Sequence, residues 1–173
     1  MLNKKVEKAL NDQIKVEAES SQAYLAMACW AEINGYPGTS AFLYAHSDEE
    51  RMHMLKLIRF VNDRGGKAII AAISEPAKEF KNLQNIFALL LSHENNVTAA
   101  INNVVDVCLK EKDYTTHNFM QWYVSEQIEE EALARTNVDK LKMMGGEKAA
   151  LYFFDRDLAA SVGNKPAKDK EGK

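Results

Sequence analysis

Glu50 and His53 stand three positions apart in the run Glu49-Glu50-Arg51-Met52-His53, a spacing that on a helix puts a carboxylate and an imidazole one turn apart on the same face. At helical periodicity Leu43, His46, Glu50, His53, Leu57 and Phe60 form a single stripe, so this pair interrupts a row that should pack a core. An ionised carboxylate buried alone costs more than a domain's whole margin of stability, roughly 5–15 kcal/mol. The rest of the chain must supply what neutralises it. A lone Glu-x-x-His pair on a helix is usually a solvated feature, but three other stretches repeat the anomaly. Glu17 sits in the apolar seam Val6, Leu10, Ile14, Ser21, Tyr24, Ala28. Glu94 sits among Phe87, Leu90, Val97, Ile101, Val104 and Cys108, and Gln127 and Glu130 sit among Met120, Tyr123, Ala134 and Leu141.

The elements that must carry these residues are helices. A first helix is expected over about residues 3–33, closed by the turn Asn34-Gly35-Tyr36-Pro37-Gly38. Here Gly35 is free to take positive φ and Pro37 suits the first turn of the next helix. The second helix runs to about residue 64 and stops at Gly65-Gly66. Residues 67–82 hold an apolar run and Pro76, and read as a long, partly buried connection. Extended, sixteen or so residues reach roughly 50 Å, while a helix of about 30 residues is roughly 45 Å long. The connection can therefore run the length of a bundle, which favours a crossover with the second and third helices parallel. A third helix covers about residues 83–110. A fourth extends from the turn Lys112-Asp113-Tyr114 to about residue 144, and a short fifth, residues 147–159, carries Leu151, Phe154 and Leu158. The fifth is too short and apolar to stand alone, and is expected to dock on the bundle end or on another subunit. The expected architecture is an all-α four-helix bundle with a fifth C-terminal helix, one domain over residues 1–162. A polar, lysine-rich tail, residues 163–173, reads as disordered.

Measured along the helices from the end where the first two meet, Glu17, Glu50, Glu94 and Glu130 lie at roughly 24, 20, 17 and 20 Å. The spread is little more than one turn. An up-down arrangement aligns them about as well, so the heights support a shared site without fixing the topology. Carboxylates converging in a core repel by about 4 kcal/mol per close pair at an effective dielectric near 20, and bound cations remove that penalty. Four glutamates, one histidine and an amide are mostly hard oxygen donors with one nitrogen, a set that suits Fe or Mn better than a sulfur-preferring structural zinc site.

Composition narrows the field. Eight Gly and three Pro in 173 residues leave long stretches without a breaker, and 46% hydrophobic residues suffice for a full core. A net charge of −3 argues against a general nucleic-acid binder. No apolar run reaches membrane-spanning length, and the start shows no apolar signal region. Cys29 and Cys108 are isolated and read as buried thiols in a reducing, cytoplasmic setting. They form no disulfide frame, zinc site or rubredoxin-type iron centre.

These residues resemble the ferritins, specifically the non-haem bacterial ferritins, over essentially the whole chain up to the tail. Ferritin-like bundles are the standard example of paired-metal sites built from glutamates and a Glu-x-x-His pair, so the ligand assignment that follows is the family's. The resemblance implies a first iron site from Glu17, Glu50 and His53, and a second from Glu50, Glu94 and Glu130, with Glu50 shared and Gln127 hydrogen-bonding nearby. It implies a third, cavity-side site from Glu49, Glu126, Glu129 and Glu130, with Tyr24 and Trp122 as site-adjacent aromatics, Tyr24 a redox or hydrogen-bond partner. Haem-binding relatives carry a second Glu-x-x-His on the fourth helix, where this chain has Gln127 and Glu130. Their haem-ligating methionine follows the shared glutamate, where this chain has Arg51, so no haem is expected. The implied function is iron storage by a ferroxidase: Fe(II) oxidised to Fe(III) at a di-iron centre with dioxygen or hydrogen peroxide. The implied assembly is a hollow homo-oligomeric shell of twenty-four subunits. The other function classes are a di-metal peroxidase or oxygenase without storage, and a structural helical bundle. His46, His93 and His117 read as ordinary polar or core histidines, with His46 the one placed to support the site.

Overall fold

The computed structural model describes residues 2–163. It contains α1 (Lys4–Ile33), α2 (Pro37–Asp63), α3 (Leu83–Lys110), α4 (Tyr114–Met144) and α5 (Lys148–Gly163). Local chemistry sets the boundaries. Asn3 caps α1 by accepting from Lys5 N at 2.8 Å, Asn82 caps α3 through Asn85 N at 2.8 Å, and Asp113 caps α4 through Thr116 N at 3.0 Å. Gly35 and Gly65 take φ of +80° and +71° at the ends of α1 and α2, conformations that a side chain disfavours.

The connection from α2 to α3 runs back along α1. Asn11 donates to Lys67 O at 3.0 Å and accepts from Ile69 N at 2.7 Å, Ser74 N donates to Glu19 Oε1 at 3.4 Å, and Phe80 meets Trp30 edge-on at 6.2 Å. The chain thus travels from the start of α1 to its end before α3 begins. The second and third helices are therefore parallel, which the carboxylate heights alone left open.

Every seam residue expected on α1, α3 and α4 is buried, and on α2 only Phe60 is part-exposed, stacked on Phe119 at 3.7 Å between centroids. The apolar interior is divided in two. One cluster holds Tyr24, Ala28, Leu43, Phe87 and Leu141; the other holds Leu10, Ile14, Leu57, Ile101 and Met120. Between them lies the layer of Glu17, Glu50, His53, Glu94, Gln127 and Glu130, all buried.

The fifth helix docks on the end of its own bundle, and extends to Gly163 because nothing from Ala159 to Val162 breaks it and Val162 packs on the core. Phe154 packs edge-on against Phe87 at 5.2 Å between centroids. Asp155 is buried and accepts from Gly38 N at 2.9 Å and Thr39 N at 2.7 Å, capping α2, whose own Tyr36 offers no side-chain cap. A Cβ on Gly38 would fall 1.9 Å from Asp155 O, so only glycine admits this approach. Asp155→Ala is expected to cost about 1–2 kcal/mol and to loosen α5, read as faster hydrogen exchange at the Gly38 and Thr39 amides. The expected disordered tail lies outside the described residues, apart from Gly163. Cys108 is buried as expected, whereas Cys29 is exposed, on a face of α1 where its Sγ lies 3.7 Å from Tyr44 Oη.

Candidate metal centre

The polar layer takes its side chains from all four long helices. Glu17 Oε1 accepts from Gln13 Nε2 at 2.9 Å, and His53 Nδ1 lies 3.4 Å from Glu50 Oε2. Tyr24 Oη donates a hydrogen bond to Glu94 Oε1. Gln127 Nε2 donates to Glu94 Oε2 and Thr98 Oγ1, each at 3.2 Å. Tyr123 Oη donates to the His53 carbonyl at 2.9 Å, fixing the backbone beneath that imidazole. Donor atoms of Glu17, Glu50 and His53 lie within 4.8 Å of one another, close enough to share one ion.

Burial and mutual repulsion hold the carboxyls of this layer back from ionising. Burial, reinforced by Glu50, pushes the Glu17 carboxyl well above the usual carboxylate range. Burial, then Glu94, pushes Glu50 up to about 8. Glu94 is also raised by burial, against the pull of its hydrogen bonds from Tyr24 and Gln127. Burial and Glu94 likewise raise the Tyr24 hydroxyl. With both carboxylates ionised, neither Glu17 Oε2 nor Glu50 Oε2 receives a hydrogen bond among the described residues. One proton held on Glu17 lets Glu50 accept it. Protons or cations must therefore occupy the space between these oxygens, and two buried, donor-less carboxylate oxygens beside an imidazole suit a divalent cation.

The ferritin-like domain family matches residues 7–144. A probable bacterial non-haem ferritin-like protein of Haemophilus influenzae is 43% identical over 158 residues, 91% of this chain and 96% of that protein. A bacterial non-haem ferritin of Campylobacter jejuni is 43% identical over 156 residues, 90% and 93% of the two chains. The chain belongs to the ferritin family. Among solved structures, the open pore ferritin of Archaeoglobus fulgidus superposes with a TM-score of 0.90 at 40% identity, covering 92% of this chain and 98% of its own.

As a ferritin, the protein is an iron-storage protein, and its carboxylate layer is where iron handling is to be sought. The ferritin places the remaining expected residues unequally. Glu49 is buried, Glu126 is half-buried and groups with Glu49 and His53, while Glu129 is exposed and belongs to none of the metal-competent groups among the described residues. Trp122 stands edge-on to His53 at 5.2 Å, and Lys56 Nζ sits 3.5 Å over its ring. His93 is half-buried against Tyr24, and burial lowers its pKa. His117 is exposed beside Gln121. Two participants escaped the sequence. Gln13, one turn before Glu17 and just off the seam, is fully buried and orients that carboxylate. Thr98, one turn after Glu94, accepts from Gln127 and donates to Glu131 at 2.6 Å, tying α3 to α4. The available signal for Gln13 was its four-residue step from Glu17, a spacing at which an amide reaches a carboxylate.

Proposed function

We propose that this ferritin is a ferroxidase that binds ferrous ions in pairs, oxidises them with dioxygen or hydrogen peroxide, and stores the ferric product inside a shell of twenty-four subunits. The observation that carries this reading is the pair of donor-less oxygens, Glu17 Oε2 and Glu50 Oε2, buried beside His53. Glu17, Glu50 and His53 hold one ferrous ion. Glu50, Glu94 and Glu130 hold the second, with Glu50 offering one oxygen to each. Gln127 and Tyr24 keep Glu94 oriented through their hydrogen bonds. Two ferrous ions held together give up one electron each, enough with two protons to reduce dioxygen to hydrogen peroxide. The carboxylates favour the product because its higher charge interacts more strongly with theirs. Glu49, Glu126, Glu129 and Glu130 lead outward from the layer as the cavity-side route. A surface pocket of about 330 Å³, lined by Glu19, Met27, Phe80 and His93, contains none of these ligands, so it gives no organic substrate access to the metals.

Aerobic addition of ferrous iron to the metal-free protein tests the proposal. Ferric colour that co-elutes with a large soluble particle is the expected result. Rapid oxidation that leaves free precipitate would instead mark a di-metal enzyme without storage, and oxidation no faster than in buffer would leave only a structural bundle.

A further inference from the structure

Gln13 is fully buried on α1, one turn before Glu17, and donates from Nε2 to Glu17 Oε1 at 2.9 Å. That contact fixes which way round the amide stands. Ionised, Glu17 can only accept; protonated, it turns its proton to Glu50, so in both states Oε1 faces the nitrogen of the amide and not its oxygen. The carbonyl oxygen is then left over. Gln13 Oε1 is buried and receives no hydrogen bond among the described residues. The Tyr123 hydroxyl, in the same cluster as the neighbouring Leu10 and Ile14, is committed to the His53 carbonyl. An acceptor buried without a donor works against folding. Gln13 Oε1 is one of three such oxygens beside the first site, with Glu17 Oε2 and Glu50 Oε2.

The carboxylate oxygens suit a cation, whereas a neutral carbonyl beside them suits a hydrogen-bond donor that the cation brings. Glu17, Glu50 and His53 offer three donor atoms close enough to share one ion, and a divalent ion with three protein ligands keeps a further position for water. The nitrogen and oxygen of one amide are about 2.2 Å apart, so Gln13 Oε1 lies within about 5 Å of Glu17 Oε1. One water at about 2.1 Å from an ion and about 2.8 Å from an acceptor spans about that distance. We propose that Gln13 Oε1 accepts a hydrogen bond from a water bound to the ion of the first site. One amide then sets both a ligand, Glu17, and the coordination position that no side chain fills. Gln13 is a positioning residue, acting on the ion through Glu17 and through that water. The inference deepens the paired-site reading and rests on its first site alone.

Crystals of the assembled protein loaded with Zn(II), which undergoes no redox chemistry, test the placement, and calorimetric titration of the metal-free protein with Zn(II) tests its effect. A water about 2.1 Å from zinc and about 2.8 Å from Gln13 Oε1 is expected. Gln13→Met keeps the side-chain length without either hydrogen bond. It is expected to weaken about 10–100-fold the Zn(II) equivalent that His53→Ala abolishes, and Gln13→Leu serves in its place if the methionine variant does not assemble. Zinc affinity unchanged in the variant, with only a lower thermal midpoint of the metal-free protein, would leave Gln13 a structural residue and overturn the proposal. So would a zinc-loaded structure in which Gln13 Oε1 meets no zinc-bound water or binds zinc directly. Failure of the paired-site reading shows separately, as a His53→Ala protein that binds Zn(II) as tightly as the unmodified chain.

Discussion

Glu50→Gln is expected to make the metal-free protein more stable while slowing ferrous oxidation on the order of 100-fold or more. Opposite signs from one substitution are the signature of a ligand held against its own folding preference. Glu50 is pushed up to about 8 by burial and then by Glu94, so near neutral pH the fold must hold a proton there that the unfolded chain releases. A neutral amide of nearly the same shape removes that cost, a gain of about 1–3 kcal/mol, and relieves Glu17, whose carboxyl is raised in part by Glu50. The same change removes the one oxygen donor proposed to serve both ions. Loss of even an outer partner of a metal ligand costs about 10–100-fold, so loss of a shared ligand should cost at least the upper end. His53→Ala is the contrast: it also slows oxidation, but the glutamates still repel and the metal-free stability does not rise. Initial rates of ferrous oxidation and thermal midpoints of metal-stripped protein, measured on both variants, check the pair of signs. A Glu50→Gln protein that oxidises iron normally would show that the layer is structural.

Much of this arrangement is legible before folding because it is written in periodicity. A glutamate at a seam position declares itself by interrupting a row of Leu, Ile and Val, and Glu17, Glu50, Glu94 and Glu130 are all buried where their rows put them. What periodicity cannot carry is choice among equal alternatives. Axial heights are the same in a crossover and an up-down bundle. The decision came from Asn11 and Glu19, polar residues on the outer face of α1 that bind the backbone of the connection. Side-chain aim is equally hidden. His46 shares the α2 stripe with two leucines, and only the packing of Phe42 and Tyr24 turns its nitrogen towards Glu130. Glu126 and Glu129 are a turn apart in sequence terms, yet one is half-buried and the other exposed. Asp155 looks like a polar residue on an apolar helix, and its capping role exists only once α5 has reached the start of α2.

Lowering the pH of metal-stripped protein from 8 to 6 is expected to raise its thermal midpoint, the reverse of ordinary acid destabilisation. Glu17 and Glu50 both have folded-state pKa values above those of the unfolded chain, Glu50 at about 8. Between the unfolded value near 4.3 and the folded one, the native state binds protons that the unfolded state has lost, so stability falls as pH rises. Each such group contributes a slope of about 1.4 kcal/mol per pH unit while it remains protonated in the fold. For a domain of this size 1 kcal/mol moves the midpoint by about 2–4 °C, so a rise of several degrees is expected across the window. His93, whose pKa burial lowers, opposes this only below about 6.5, where the unfolded imidazole gains its proton. Loading with Zn(II) reverses the sign, because the cation displaces those protons and binds more tightly as pH rises. Scanning calorimetry of stripped and Zn(II)-loaded protein at matched ionic strength should therefore give two lines of opposite slope. A stripped protein that instead gains stability from pH 6 to 8 would mean that water, not the apolar clusters above and below, surrounds these carboxylates, and the need for cations would disappear with it.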